Sequence, residues 1–140
     1  RGVKTVEILY GDREIVVCVK PVGLDSESGV PARLQEQLGG EVFPLHRLDK
    51  NVGGVMIYGR TKAAAAKFSK LIQDGQLVKE YVALVHGAPP EAGNWTDLLW
   101  KDSAKNKVFV ANRERRGVKK ARLAFQTLRA GEQSLVRVRL

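Results

Sequence analysis

The chain has 140 residues, 44% of them hydrophobic and 28% charged, which is enough apolar material for one core and too short a chain to expect two. No uninterrupted apolar run approaches the roughly 20 residues of a bilayer-spanning helix. The N-terminal Arg1-Gly2-Val3-Lys4-Thr5 has no signal-like apolar stretch, and the single cysteine, Cys18, excludes an internal disulfide. Composition thus predicts one soluble domain over residues 1–140, cytoplasmic and without a membrane segment.

In chain order, Val6 to Tyr10 and Glu14 to Lys20 are β-branched or aromatic runs separated by the turn former Gly11-Asp12, a pattern that predicts a hairpin. Cys18 sits in the apolar run Ile15-Val16-Val17-Cys18-Val19, where a thiol is expected to be a small buried hydrophobe rather than a reactive group. After Lys20-Pro21-Val22-Gly23-Leu24, the polar Asp25-Ser26-Glu27-Ser28-Gly29 reads as a loop leading into a short helix over Ala32 to Leu38, stopped by Gly39-Gly40. A loop holding His46 to Lys50 precedes a buried strand, Gly53 to Gly59.

The clearest helix runs from the N-cap Thr61 to Asp74, with Gly75 as its left-handed stop and Ala64, Phe68, Leu71 and Ile72 as its apolar stripe. Lys79 to His86 alternates as a strand, with Tyr81, Ala83 and Val85 on the face of Lys79. From Gly93 onwards a β meander is expected: Trp95 to Trp100, Lys107 to Ala111, Lys120 to Leu128 and Ser134 to Leu140. On it Trp95 and Trp100 read as core anchors rather than as platforms for bases. The last strand ends without a turn signal, so the domain is expected to be incomplete at its C-terminus.

The net charge of +9 is unevenly spread. Residues 1–100 carry twelve basic and twelve acidic side chains, whereas residues 101–122 carry nine basic and two acidic. Much of this charge, including Arg113, Arg115 and Arg116, falls on the expected hairpin tip Asn112 to Gly117. A concentration of this kind fits a polyanion partner, because each neutralised phosphate releases condensed counterion. Charge alone leaves a solvated loop equally open.

His46-Arg47-Leu48-Asp49-Lys50 gathers ionisable groups on a loop between apolar elements, where scaffolds present reactive side chains. Positive neighbours at Arg47 and Lys50 favour the carboxylate of Asp49, the form that nucleophilic attack requires. The bland alternative is a turn residue paired with Arg47. A metal site is not expected, since His86 is the only other histidine and Cys18 lies in an apolar run, fewer ligands than a stable site needs.

His46-Arg47-Leu48-Asp49 followed by Gly53-Gly54-Val55-Met56-Ile57 resembles the active-site motif of the RluA-type pseudouridine synthases. Lys20-Pro21-Val22-Gly23-Leu24 is similar to the family's earlier Lys-Pro-x-Gly motif, and Lys79-Glu80-Tyr81-Val82-Ala83-Leu84-Val85-His86-Gly87 to its Lys-x-Tyr strand, in the same order and at similar spacing. The resemblance implies an α+β catalytic fold of mixed, mainly antiparallel sheet with a few short flanking helices. It implies an isomerase converting uridine to pseudouridine in ribosomal or transfer RNA, needing no cofactor or metal and acting as a monomer.

On that resemblance Asp49 is the nucleophile, Tyr81 stacks on the uracil and helps remove the C5 proton, and Arg47 places the flipped nucleotide. Lys20, His46 and Lys79 join the basic residues Arg113, Arg115 and Arg116 as RNA contacts. An RNA-binding module of the same fold with little or no activity is the alternative. The chain departs from the family where Val52-Gly53-Gly54 replaces Thr-Ser-Gly, losing two hydroxyls, and where the later Gly-Arg-x-His-Gln-Ile-Arg motif would follow a strand like Leu135 to Leu140.

Overall fold

The computed structural model describes residues 5–140. They form two compact units that divide after Leu77, where sequence reading expects one domain. Among these residues no helix is long and apolar enough to cross a membrane.

The first unit holds β1 (Glu7–Gly11), β2 (Ile15–Lys20), α1 (Gly29–Leu38), β3 (Phe43–Pro44), β4 (Gly54–Gly59) and α2 (Lys62–Gln73). Its four strands make one antiparallel sheet in the order β1-β2-β4-β3. The expected hairpin of β1 and β2 forms because the Asp12 carboxylate accepts from the backbone N–H groups of Glu14 and Ile15, at 2.7 and 2.9 Å. Along β2 burial alternates, so Val16, Cys18 and Lys20 point inward opposite Tyr58, Met56 and Gly54 of β4. With Val30 and Leu34 of α1 these side chains make the core. Burial pushes the Cys18 thiol up to about 11, as befits an inert buried cysteine.

Helix α1 starts three residues before its expected first residue, Ala32. The Asp25 carboxylate accepts from the N–H groups of Glu27 and Ser28, and its main-chain carbonyl from that of Val30. These bonds occupy donors that a new helix otherwise leaves unpaired, and Pro31 has none to satisfy. Helix α2 follows its expectation: the Thr61 hydroxyl accepts from the Ala64 N–H at 3.0 Å, and Gly75 takes up a φ of 78° that an L side chain rarely adopts. Its stripe is narrower than expected, with Ala64 buried but Leu71 40% exposed.

The second unit is a five-stranded antiparallel sheet of β5 (Glu80–His86), β6 (Ala92–Asp102), β7 (Lys107–Ala111), β8 (Val118–Arg129) and β9 (Gln133–Arg139). Their order, β5-β9-β8-β6-β7, corrects the expected meander. β7 and β8 do not pair; they flank β6, with Trp100 opposite Phe109 on one side and Val118 on the other. Residues 112–117 therefore cross β6 near Leu98 to Trp100 instead of capping a hairpin. Gly117, at a φ of 84°, lies against the Trp100 ring and turns the chain into β8.

Tyr58 ties β4 to the loop before α1: fully buried, it donates its hydroxyl to the Ser26 carbonyl. Tyr58→Phe removes the hydroxyl donor of a buried carbonyl, and chemical denaturation is expected to show a loss of about 1–2 kcal/mol.

Candidate active site

The loop between β3 and β4 alternates in burial: Arg47 and Asp49 are exposed, while Leu48 between them is buried. Leu48 anchors the run, its N–H donating to the Ser26 hydroxyl at 3.3 Å. Behind it a turn closes from the Val52 N–H to the Asp49 carbonyl at 2.9 Å. The next carbonyl, that of Lys50, receives two donors: the Gly23 N–H at 2.7 Å and the Lys20 ammonium at 3.1 Å. The Asp49 carboxylate is thus carried on a pinned backbone with its side chain 82% exposed.

Arg47 stands between two carboxylates, 3.3 Å from Glu27 and 4.0 Å from Asp49. All three side chains are largely exposed, so these pairs orient more than they stabilise. They leave the guanidinium beside Asp49 and open to solvent.

Lys20 corrects its expected role as an RNA contact. It is fully buried, and its ammonium donates to the carbonyls of Pro21, at 2.9 Å, and Lys50. Burial lowers its pKa, and the nearby Asp25 partly offsets that. Lys20 reaches the site only through the backbone. Half-buried His46 has its Nε2 accepting from the Ile57 N–H at 3.1 Å, which fastens the start of the loop to β4. The loss of hydroxyls at Val52-Gly53 has a local counterpart, since a side chain at Gly53 would begin 3.3 Å from the Lys20 carbonyl.

Sequence reasoning passed over Ser26 and Glu27, which position this loop. The polar stretch 25–29 was the only signal, and nothing in it says that it folds back on residues 47–50.

In the second unit Tyr81 is half-buried on the less exposed face of its sheet. The register sets it beside Val138, then Phe125, in one row across β5, β9 and β8. Phe125 stacks on Trp95 with ring centroids 4.6 Å apart and fills the space over Gly93. Trp95 is 55% exposed, so it flanks this patch rather than anchoring a core. Lys79, at the start of the strand, is exposed, and its carbonyl accepts from the Leu140 N–H. Arg113, Arg115 and Arg116 are all exposed on the crossing segment. Among the described residues no three His, Cys, Asp or Glu side chains gather as a metal cage.

The family model for RNA pseudouridylate synthase matches residues 14–140. The chain belongs to that family. Dual-specificity RNA pseudouridine synthase RluA of Escherichia coli is 36% identical over 115 residues, 72% of this chain and 51% of that protein. The tRNA pseudouridine synthase C of Haemophilus ducreyi is 33% identical over 97 residues, 63% of this chain and 40% of that protein. The chain thus spans about half the length of the curated relatives it matches.

Among solved structures, human RNA pseudouridylate synthase domain containing 4 is similar with a TM-score of 0.76 at 26% identity, over 95% of this chain and 58% of that one. Human RNA pseudouridylate synthase domain containing 1 has a TM-score of 0.85 at 17% identity, over 99% and 60% respectively. The mainly antiparallel α+β fold of the pseudouridylate synthases is the fold of this chain.

The pinned loop yields a test independent of turnover. Lys20→Met removes a buried ammonium together with its desolvation cost, so global stability should change by no more than about 1 kcal/mol. Hydrogen exchange at the Val52 amide should nevertheless accelerate markedly, because the Lys50 carbonyl next to that turn loses one of its two donors. Unchanged exchange at Val52 would remove Lys20 from the support of Asp49.

Proposed function

We propose that this chain is the nucleophile-bearing part of an enzyme that isomerises uridine to pseudouridine in transfer or ribosomal RNA, and that both units belong to one catalytic domain. The observation carrying the reading is the Asp49 carboxylate, solvent-facing on a backbone held from behind by Lys20 and Gly23. Asp49 attacks C1′ of the target nucleotide, and the electron pair of the N1–C1′ bond leaves with the uracil. The freed base turns, C5 bonds to C1′ as the bond to Asp49 breaks, the C5 proton departs to water and N1 takes one up, so that no atom is added overall.

Tyr81 stacks on the target base and helps remove that proton, and Arg47 places the flipped nucleotide. Lys79, Arg113, Arg115 and Arg116 contact the RNA, offsetting the few kcal/mol needed to unstack the target. The reaction needs neither metal nor cofactor, because uracil leaves N1 with its charge spread over two carbonyls. The enzyme works as a cytoplasmic monomer.

Two measurements test this. RNA labelled with tritium at uridine C5 should release tritium to water with the wild-type chain and not with Asp49→Ala. RNA binding without release would favour a binding module of the same fold. Separately, replacing Arg113, Arg115 and Arg116 with alanine should flatten the plot of log affinity against log salt by roughly two for a single strand, each phosphate contact contributing about 0.7. An unchanged slope would take the segment out of the interface.

A further inference from the structure

The segment that crosses β6 does more than display charge. It borders an open cavity of about 330 Å³ lined by Trp100, Phe109, Val110, Ala111, Asn112 and Arg115. The register puts Trp100 and Phe109 on one face of β6 and β7, with ring centroids 5.9 Å apart. Arg115 lies over the Trp100 ring, 5.4 Å from its centre, while Phe109 keeps 41% of its surface exposed. An aromatic surface, Asn112 and a guanidinium thus line one opening within a stretch carrying nine basic and two acidic residues.

A small buried cluster beneath the segment would account for the Trp100–Phe109 pair. It does not account for Phe109 remaining 41% exposed, nor for Asn112 and Arg115 at the same opening. A planar, polar-edged ligand on a phosphate chain satisfies every group present. The ring stacks, the amide meets hydrogen-bonding edges, and the surrounding cations meet the backbone.

We infer that this cavity is a docking site for one unpaired nucleobase of the RNA, separate from the uridine that reacts. It rests on the RNA reading above and deepens it. The base stacks on Phe109 with its polar edge toward Asn112 and Arg115. A base held in a double helix has no free face to offer, so the site selects for single-stranded RNA beside the target.

The test uses the whole chain carrying Trp95→Phe, which leaves Trp100 as the only tryptophan. A short oligouridylate should quench Trp100 fluorescence on binding, whereas inorganic polyphosphate, which has the charge but no bases, should bind without quenching. Phe109→Leu keeps an apolar side chain there and should weaken oligouridylate binding about tenfold while leaving polyphosphate affinity unchanged. Asn112→Ala, on the exposed crossing segment, should weaken oligouridylate in the same selective way if Phe109→Leu alters the circular dichroism spectrum. Equal quenching by polyphosphate, or oligouridylate affinity indifferent to both substitutions, overturns the site. Base-selective quenching in the Trp95→Phe chain, with no tritium released from C5-labelled RNA by the wild-type chain, would support the site and sink the isomerase alone.

Discussion

The geometry of the first unit depends on one buried cation. Removing the Lys20 ammonium from water costs several kcal/mol, a cost visible in the lowering of its pKa by burial. Two main-chain carbonyls offset that cost, and one of them belongs to Lys50, the residue after Asp49. The Gly23 N–H meets the same carbonyl, so the chain after β2 and the loop before β4 are fastened at one atom. β2 and β4 are themselves paired throughout, and the fastening transfers the rigidity of that pair to the carboxylate-bearing turn. Tyr58 and Leu48 repeat the arrangement on the other side, each bonded to Ser26.

Much of this was legible in the sequence where local rules apply. The Asp12 turn, the Thr61 cap and the Gly75 stop are short-range chemistry, and each forms as its residues predict. Motif order identified Asp49 and Tyr81 as residues to examine. Roles that depend on long-range contacts were not legible. Lys20 reads as a free basic residue until β2 pairing turns it inward, and its partner lies thirty residues away. His46 likewise became a backbone acceptor only once β4 lay beside it.

The second unit shows why strand order escapes a reading of strands. β6, β7 and β8 were each recognisable from composition, and consecutive strands usually pair. Here β6 is long enough to carry β7 on one edge and β8 on the other, so the intervening segment crosses the sheet. The strand assignments survive that change and the position of the charge does not. Arg115 on a hairpin tip would reach into solvent, whereas on a crossing segment it rests on Trp100. The segment's basic residues and its aromatic neighbours are thus parts of one surface.

An enzyme that cuts and remakes a glycosidic bond within one nucleotide has a different requirement from a glycoside hydrolase. Hydrolases generally place two carboxyl groups across the bond, because an alkoxide leaves poorly and must be protonated. Uracil leaves as a delocalised anion, so one carboxylate suffices, provided it holds its position while the base turns. This chain carries a single exposed carboxylate at the motif, flanked by Arg47 and supported by buried bonds to its backbone. The buried Lys20 reaches that carboxylate only through the backbone. A cation spent on the Lys50 carbonyl fixes the turn from behind, while the guanidinium of Arg47 is the cation left beside the Asp49 carboxylate.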